Sequence, residues 1–500
     1  MNQSDASTDP VAIPTEHLDV IIVGAGISGV GSAYHLSTQQ PERSFVVLES
    51  LDGFGGTWRT HTYPGIRSDS DLYTFGYRFK PWTGQPIATA AQILGYMGEV
   101  IDDNDLAGHI RYQHQTSAAS WSSETRRWTL EVTRTDTGEA LRFTAPFLWM
   151  CQGYYRHAEG YTPEWPGMDH YTGQIVHPQT WPGDLDYASK DVIVIGSGAT
   201  AATLVPAIAP DCAHVTLLQR SPTYFVSGRN ENETADMLRA LDIDETWIHE
   251  IVRRKTLHDQ SEVTRLAAEE PAMIKELLLA DIRERLGPDY DVDTHFNPSY
   301  RPWQQRIAFI PDGDLFEGIR AGKASIVTDQ IETFTEDGIL LASGRELRAD
   351  IIVTATGFNL SVMGDIAFDL DGEPLDWPDT VTYHGMMFTG VPNLIWIMGY
   401  FRASWTLRAD LIGDFVCRLL AHLDELGASS ATPALLPDEE SLTRLPWMDP
   451  DNFNPGYLMR SMHLLPKRLD TPEWQHTQDY WVEKDTLPAI DLDDGRLHYD

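Results

Sequence analysis

Two short runs of uninterrupted apolar residues organise the chain. Residues 19–23 (Asp-Val-Ile-Ile-Val) and 191–195 (Asp-Val-Ile-Val-Ile) show no polar alternation. That pattern belongs to strands buried on both faces, as in a parallel sheet covered by helices. Glycines follow each run at once. Gly24, Gly26 and Gly29 lead into a helical stretch at 30–37, and Gly196 and Gly198 lead into Ala199, Thr200 and Ala201. A second strand follows each helix, at 45–49 (Phe-Val-Val-Leu-Glu) and at 214–220 (His-Val-Thr-Leu-Leu-Gln-Arg). Strand, glycine turn, helix and strand in that order make a βαβ unit. The pattern therefore predicts an α/β fold with two Rossmann-like dinucleotide-binding domains. Residues 350–357 read as a further buried strand that ends in small residues at Gly357. Residues 392–400 read as a strand and turn, after which a helix begins around Ser404, Trp405 and Thr406. Residues 231–286 are charged and patterned at helical spacing, most plainly at 273–286. They predict a helical insertion in the second domain that forms one wall of a substrate cavity. No solenoid repeat occurs; only the βαβ unit recurs.

The glycines point to the ligand class. They let the backbone turn tightly and approach a pyrophosphate, and the following helix offers free N–H groups and a positive dipole end. The two units differ at the end of their second strand. The first ends in Glu49, about 20 residues beyond Gly29, where a carboxylate binds ribose hydroxyls. The second ends in Gln219 and Arg220, followed by Ser221. A carboxylate there would repel a 2′-phosphate and an arginine attracts one, so the second ligand is expected to be NADPH. A second glycine cluster, Gly53, Gly55 and Gly56, lies just beyond Glu49 and leads into Thr57 and Trp58. Another close backbone approach so near the first fits a long ligand, and FAD is expected in the first unit. Arg220 as a plain surface charge is the competing reading.

The division expected from these elements is a flexible tail at 1–17, a first part of the FAD-binding domain at 18–151 and an NADPH-binding domain at 152–380. Its helical insertion covers about 225–325, and a second part of the FAD-binding domain follows at 381–500. Residues 153–181, rich in Gly, Pro and Tyr, read as a linker.

Composition narrows the partners. The formal net charge is −37, from 74 acidic and 37 basic residues, which argues against nucleic acid or an anionic membrane as partner. The three cysteines, Cys151, Cys212 and Cys417, form no C-x-x-C pair. A redox dithiol and a metal knuckle are both unsupported, and a reducing cytoplasm is the expected compartment. The N-terminus lacks a basic start followed by an apolar core, and no apolar run approaches the roughly 20 residues needed to cross a bilayer.

Residues 55–69 read G-G-T-W-R-T-H-T-Y-P-G-I-R-S-D. This resembles, in full, the pattern (A/G)-G-x-W-x4-(F/Y)-P-(G/M)-x3-D of class B flavin monooxygenases of the Baeyer–Villiger type. Tyr171, Gly173, His177, Trp181 and Pro182 resemble a second pattern of that family, with Tyr171 standing where the family has Phe. Several segments look closest to the mycobacterial ethionamide-activating group, and the likeness runs from about 18 to 484. The resemblance implies that NADPH reduces FAD, that a peroxyflavin anion attacks a ketone to give an ester, and that thioethers are oxidised as well. It implies an arginine beside the reacting oxygen, at Arg306, and an acid, Asp69, that holds this arginine. Asp71 lies two residues on and competes for that contact. Gly173, His177 and Trp181 are implied to support domain closure. Relatives carry Lys at Gln305, so phosphate recognition falls more heavily on Arg220 and Ser221. Gly357 and Trp405 are expected to be cofactor-binding residues, the helix that begins at Ser404, Trp405 and Thr406 pointing at the flavin. The alternatives left open are a structural ion pair for Arg306, a hydrogen-bonded core histidine for His177 and core packing for Trp405. At the level of function they are an N- or S-hydroxylating monooxygenase and a flavin- and NADPH-binding redox sensor without oxygenation.

Overall fold

A computed structural model describes residues 13–500, and residues 1–12 of the expected tail lie outside them. Two five-stranded parallel sheets carry the molecule. The first runs in the order Leu394–Trp396, Phe147–Met150, Val20–Val23, Phe45–Leu48 and Ile110–Arg111. The second runs Gln174–Val176, Ile351–Thr354, Asp191–Ile195, His214–Gln219 and Ala324–Thr328. In each sheet the strand that feeds the glycine turn is central. Val20, Ile21 and Ile22 are fully buried, as a strand covered on both faces requires. The helix Ile27–Gln39 follows the first turn, and Ala199–Ile208 follows the second. The helix Trp405–Leu426, with Ser404 at its N-cap position, packs on Ile27–Gln39.

A third sheet of six strands sits beside the first. It is built on the antiparallel strands His114–Ser122, Arg127–Arg134 and Ala140–Ala145. Two expectations change here. Thr15–His17, placed in the tail, forms an edge strand parallel to Ala140–Ala145. Residues up to 380 were assigned to the second domain, but Ile351–Thr354 is the last strand of its sheet, and Ala367–Leu370 pairs with His114–Ser122 instead. Buried Phe368 draws this segment over, because it packs edge-on to Trp128 and Trp377 in the first unit's core.

The segment read as a linker is partly ordered into sheet. Tyr155–Gly160 pairs antiparallel with Phe358–Leu360, so a two-stranded ribbon joins the halves. The insertion is helical at Glu233–Ala240, Glu245–Glu269 and Pro271–Leu286. It docks on the first unit: buried Arg253 donates through one nitrogen to the carbonyls of Tyr73, Thr74 and Gly76 at 3.0, 3.1 and 3.0 Å.

Candidate active site

One cavity of about 570 Å3 joins the first glycine turn, the 55–69 segment and the start of the second unit's helix. The first turn is shaped by backbone contact. A Cβ at Gly29 would overlap the Gly24 carbonyl oxygen, so only glycine lets the helix close on the strand. Gly26 stands at the N-cap with no side chain capping the helix, which leaves the opening N–H groups free for a ligand. Gly56 faces it: a Cβ at Gly56 would lie 3.1 Å from the Gly26 Cα. The strip between these backbones is bare of side chains, as a pyrophosphate approaching both would require. Glu49 is buried at the strand end, and its carboxylate accepts from the Ala25 amide at 2.7 Å and the Leu51 amide at 2.9 Å. It is anchored to the turn while still facing the cavity. These features fit a dinucleotide such as FAD.

Thr57 opens the short helix Thr57–Thr60, and Trp58 packs edge-on to Phe75 beside the cavity. The segment then crosses to the second unit. The Tyr63 hydroxyl meets Thr200, and burial pushes this phenol up to about 12. Arg67 pairs with Asp314 at 2.6 Å. Asp69 meets Arg306 at 3.4 Å, and their side chains keep 31% and 36% exposure. Both line the cavity, so that exposure leaves them within reach of a ligand. Asp69 holds the Arg306 guanidinium above its ordinary range, against the opposing effect of burial. Asp71 is engaged elsewhere. It caps the helix Leu72–Phe75 through the Tyr73 amide at 2.8 Å, and burial pushes its carboxyl up to about 6.

The second turn is similar in plan. Gly196 takes φ +127°, Gly198 is an uncapped N-cap position, and Ala199 and Thr200 reach the shared cavity. Arg220 and Ser221 are exposed just past the strand end. The Ser197 hydroxyl donates to the Ser221 carbonyl at 3.3 Å, which places that pair of residues beside the turn. Gln219 points the other way. Its amide is buried and donates to the His295 carbonyl at 2.7 Å and the Thr328 hydroxyl at 2.9 Å, so it holds structure and offers a ligand nothing.

The three residues expected to support domain closure make contacts around the second sheet. The His177 Nδ1 accepts from the Gln179 amide at 3.1 Å, so its Nε2 carries the hydrogen that it donates to the Gly357 carbonyl at 3.1 Å. Gly357 is thereby tied to the ribbon rather than to the cavity. Gly173 sits where a Cβ would lie 2.5 Å from the Asp350 carbonyl oxygen, and Trp181 packs edge-on to Tyr187. Trp405 has two neighbours: its indole N–H donates to Ser28 at 2.8 Å, and its ring stacks on Tyr154 at 5.1 Å. It also lines the cavity. The helical insertion at 231–286 contributes no residue to the cavity lining, contrary to the wall expected of it. Its charged faces are spent on solvent and on the first unit, as with Arg253.

Sequence reasoning missed an aromatic box beside Arg306. Tyr154 and Tyr155 hydrogen-bond to each other, and Tyr457 and Phe401 lie against Tyr154 at 6.3 and 5.7 Å. Two adjacent tyrosines directly after Gly153 were a signal within the presumed linker; Tyr457 had none. Among the described residues no group of His, Cys, Asp and Glu is arranged to hold a metal ion, and no helix is long and apolar enough to cross a membrane.

Residues 22–82 match the profile of a NAD(P)-binding Rossmann-like domain, and residues 85–257 match a flavin-binding monooxygenase-like profile. The FAD-containing monooxygenase EthA of Mycobacterium tuberculosis is 45% identical over 97% of this chain and 98% of its own. The probable FAD-binding monooxygenase AlmA of Acinetobacter baylyi is 41% identical over 97% of this chain and 96% of its own. In fold, the chain is similar to an oxidised steroid monooxygenase bound to NADP, with TM-score 0.77 and 22% identity over 97% and 99% of the two chains. A closed cyclohexanone monooxygenase gives TM-score 0.74 at 19% identity over 97% and 99%. The chain belongs to the family of FAD-containing monooxygenases that includes EthA and AlmA, and it uses FAD and NADPH to act on a small molecule with O2.

Proposed function

We propose that this monooxygenase inserts one oxygen atom of O2 beside a ketone carbonyl, giving an ester, and that it also oxidises thioethers to sulfoxides. The observation that supports this reading is the Arg306–Asp69 pair, held at 3.4 Å within the cavity that the first glycine turn opens into. Bound FAD, reduced by NADPH, supplies the oxygen-activating chemistry. NADPH gives two electrons, one oxygen atom enters the ketone and the other leaves as water. The chain does the rest. Gly24, Gly26, Gly29, Glu49, Gly56, Thr57 and Trp58 hold FAD, and Gly196, Gly198, Ala199, Thr200, Arg220 and Ser221 hold NADPH. Arg306 offers a fixed positive charge where negative charge develops on the reacting oxygen, and Asp69 keeps it protonated and aimed. Gly173, His177, Trp181 and Gly357 hold the junction across which the two nucleotides meet.

The test supplies NADPH, O2 and a panel of linear and aryl ketones with one thioether. Ester is expected from ketones, with Arg306→Ala losing roughly 100-fold or more in kcat while retaining the FAD absorbance. Sulfoxide without ester would instead mark a hydroxylating monooxygenase. NADPH consumption that yields only hydrogen peroxide would mark a redox sensor.

A further inference from the structure

His61 belongs to the segment that spans the two glycine turns. At one end of it, a Cβ on Gly56 would lie 3.1 Å from the Gly26 Cα of the first turn. At the other, the Tyr63 hydroxyl meets Thr200 in the helix Ala199–Ile208, which opens at the second turn. His61 stands between them, at the C-cap position of Thr57–Thr60. It lines the cavity and is only 4% exposed.

One ring nitrogen is committed and the other is not. Nδ1 lies 3.0 Å from the Thr57 carbonyl, which can only accept, so Nδ1 carries the hydrogen. Burial lowers the His61 pKa, so the ring is neutral at neutral pH and Nε2 is a bare acceptor. Nε2 is buried and has no hydrogen-bond partner. The side chains around the ring have nothing left to give. Phe358 and Tyr63 meet it edge-on at 5.4 and 6.2 Å. The Tyr63 hydroxyl is spent on Thr200, and His177 gives its Nε2 hydrogen to the Gly357 carbonyl at 3.1 Å. A buried acceptor without a donor is unfavourable until a ligand supplies one.

The chemistry of the ligands narrows the donor. A ketone, a thioether and O2 carry no N–H or O–H, so the donor comes from a nucleotide. FAD and NADPH both offer such groups. The first turn lies at the far end of the segment, whereas Tyr63, two residues from His61, touches the helix of the second turn. Ala199, Thr200 and Thr203 of that helix line the same cavity, and Phe358 belongs to the ribbon that joins the units. We propose that His61 is a binding residue for NADPH, its Nε2 accepting from the nicotinamide half, whose carboxamide N–H2 and ribose hydroxyls are the donors. This rests on the placement of NADPH at the second turn proposed above.

The experiment measures calorimetric binding of NADP and of 2′,5′-ADP to the FAD-loaded enzyme and needs no turnover. The second ligand keeps the 2′-phosphate but lacks the nicotinamide half. His61→Phe keeps a buried ring and removes the acceptor. It is expected to weaken NADP binding by about fivefold or more, the worth of a hydrogen bond, and to leave 2′,5′-ADP within about twofold. His61→Gln restores an acceptor and is expected to recover most of the loss. Unchanged NADP binding in His61→Phe, equal weakening of both ligands, or a loss that His61→Gln does not recover would overturn the assignment. So would loss of FAD from the variants, read from the flavin absorbance, which would give the acceptor to the ribityl chain of FAD. The placement of NADPH fails separately. Unchanged 2′,5′-ADP binding in Arg220→Ala would take the phosphate away from the second turn, while a His61→Phe defect confined to NADP would still stand.

Discussion

Arg306, Asp69 and Asp71 show how much a single position decides. Two acids stand two residues apart in an exposed-looking stretch, yet one faces an arginine in the cavity and the other is buried as a helix cap. The family pattern favours Asp69, with Asp71 as its competitor, and the conformation of the turn separates them. Arg220 is the simplest residue to question, because it is exposed past its strand with nothing but position to recommend it. Arg220→Ala is expected to cut the preference for NADPH over NADH by about tenfold or more, through loss of a charge-assisted contact to the 2′-phosphate. KM values for both nucleotides check it, and unchanged discrimination would return Arg220 to the ordinary surface. Tyr457 was illegible in the sequence for a plain reason. It reaches Arg306 from the short helix Gly456–Ser461, far along the chain, and no periodicity or motif ties the two together.

At the level of elements, the strands were easy to read where they are covered on both sides. Val20–Val23 and Asp191–Ile195 are apolar throughout and followed by glycine, so composition and position agree. The strands around 114–145 escaped notice because one face meets solvent. In His114–Ser122 buried and open positions alternate, and the residues are small and polar. The packing of helix Ile27–Gln39 on Trp405–Leu426 hides another feature. His35 meets Asp410 at 3.4 Å and Asp414 at 3.3 Å, both on the partner helix. Burial alone would lower the His35 pKa, but the two acids raise it to about 9. A histidine with a raised pKa gives its full stabilisation below its unfolded value near 6.5, and loses it as pH climbs through 9. Discounted for the open side of Asp414, the effect is on the order of 1–2 kcal/mol. Urea unfolding of the enzyme should therefore weaken between pH 6.5 and 9.5, and His35→Gln should flatten that slope. An equal slope in the variant would remove His35 as its cause.

For the whole molecule, function depends on two nucleotide sites held by separate sheets that meet in one cavity. The ribbon of Tyr155–Gly160 with Phe358–Leu360 is the mechanical link, and His177 pins it to Gly357 with both ring nitrogens already committed. Burial lowers the His177 pKa, so the ring stays neutral and keeps one fixed tautomer. Such a residue is a poor proton carrier and a good latch. Removing it should leave each nucleotide site intact while loosening how they face each other. His177→Ala is expected to retain FAD and to bind NADP with little change, but to slow flavin reduction by NADPH by roughly tenfold, since hydride transfer is sensitive to small errors of placement. Reduction of the same variant by dithionite, which needs no docked nicotinamide, should proceed as in the unaltered enzyme. Stopped-flow absorbance of the flavin separates the two cases. Equal slowing by both reductants would place the defect in the FAD site itself, and no slowing by either would leave His177 as a packing residue of the junction.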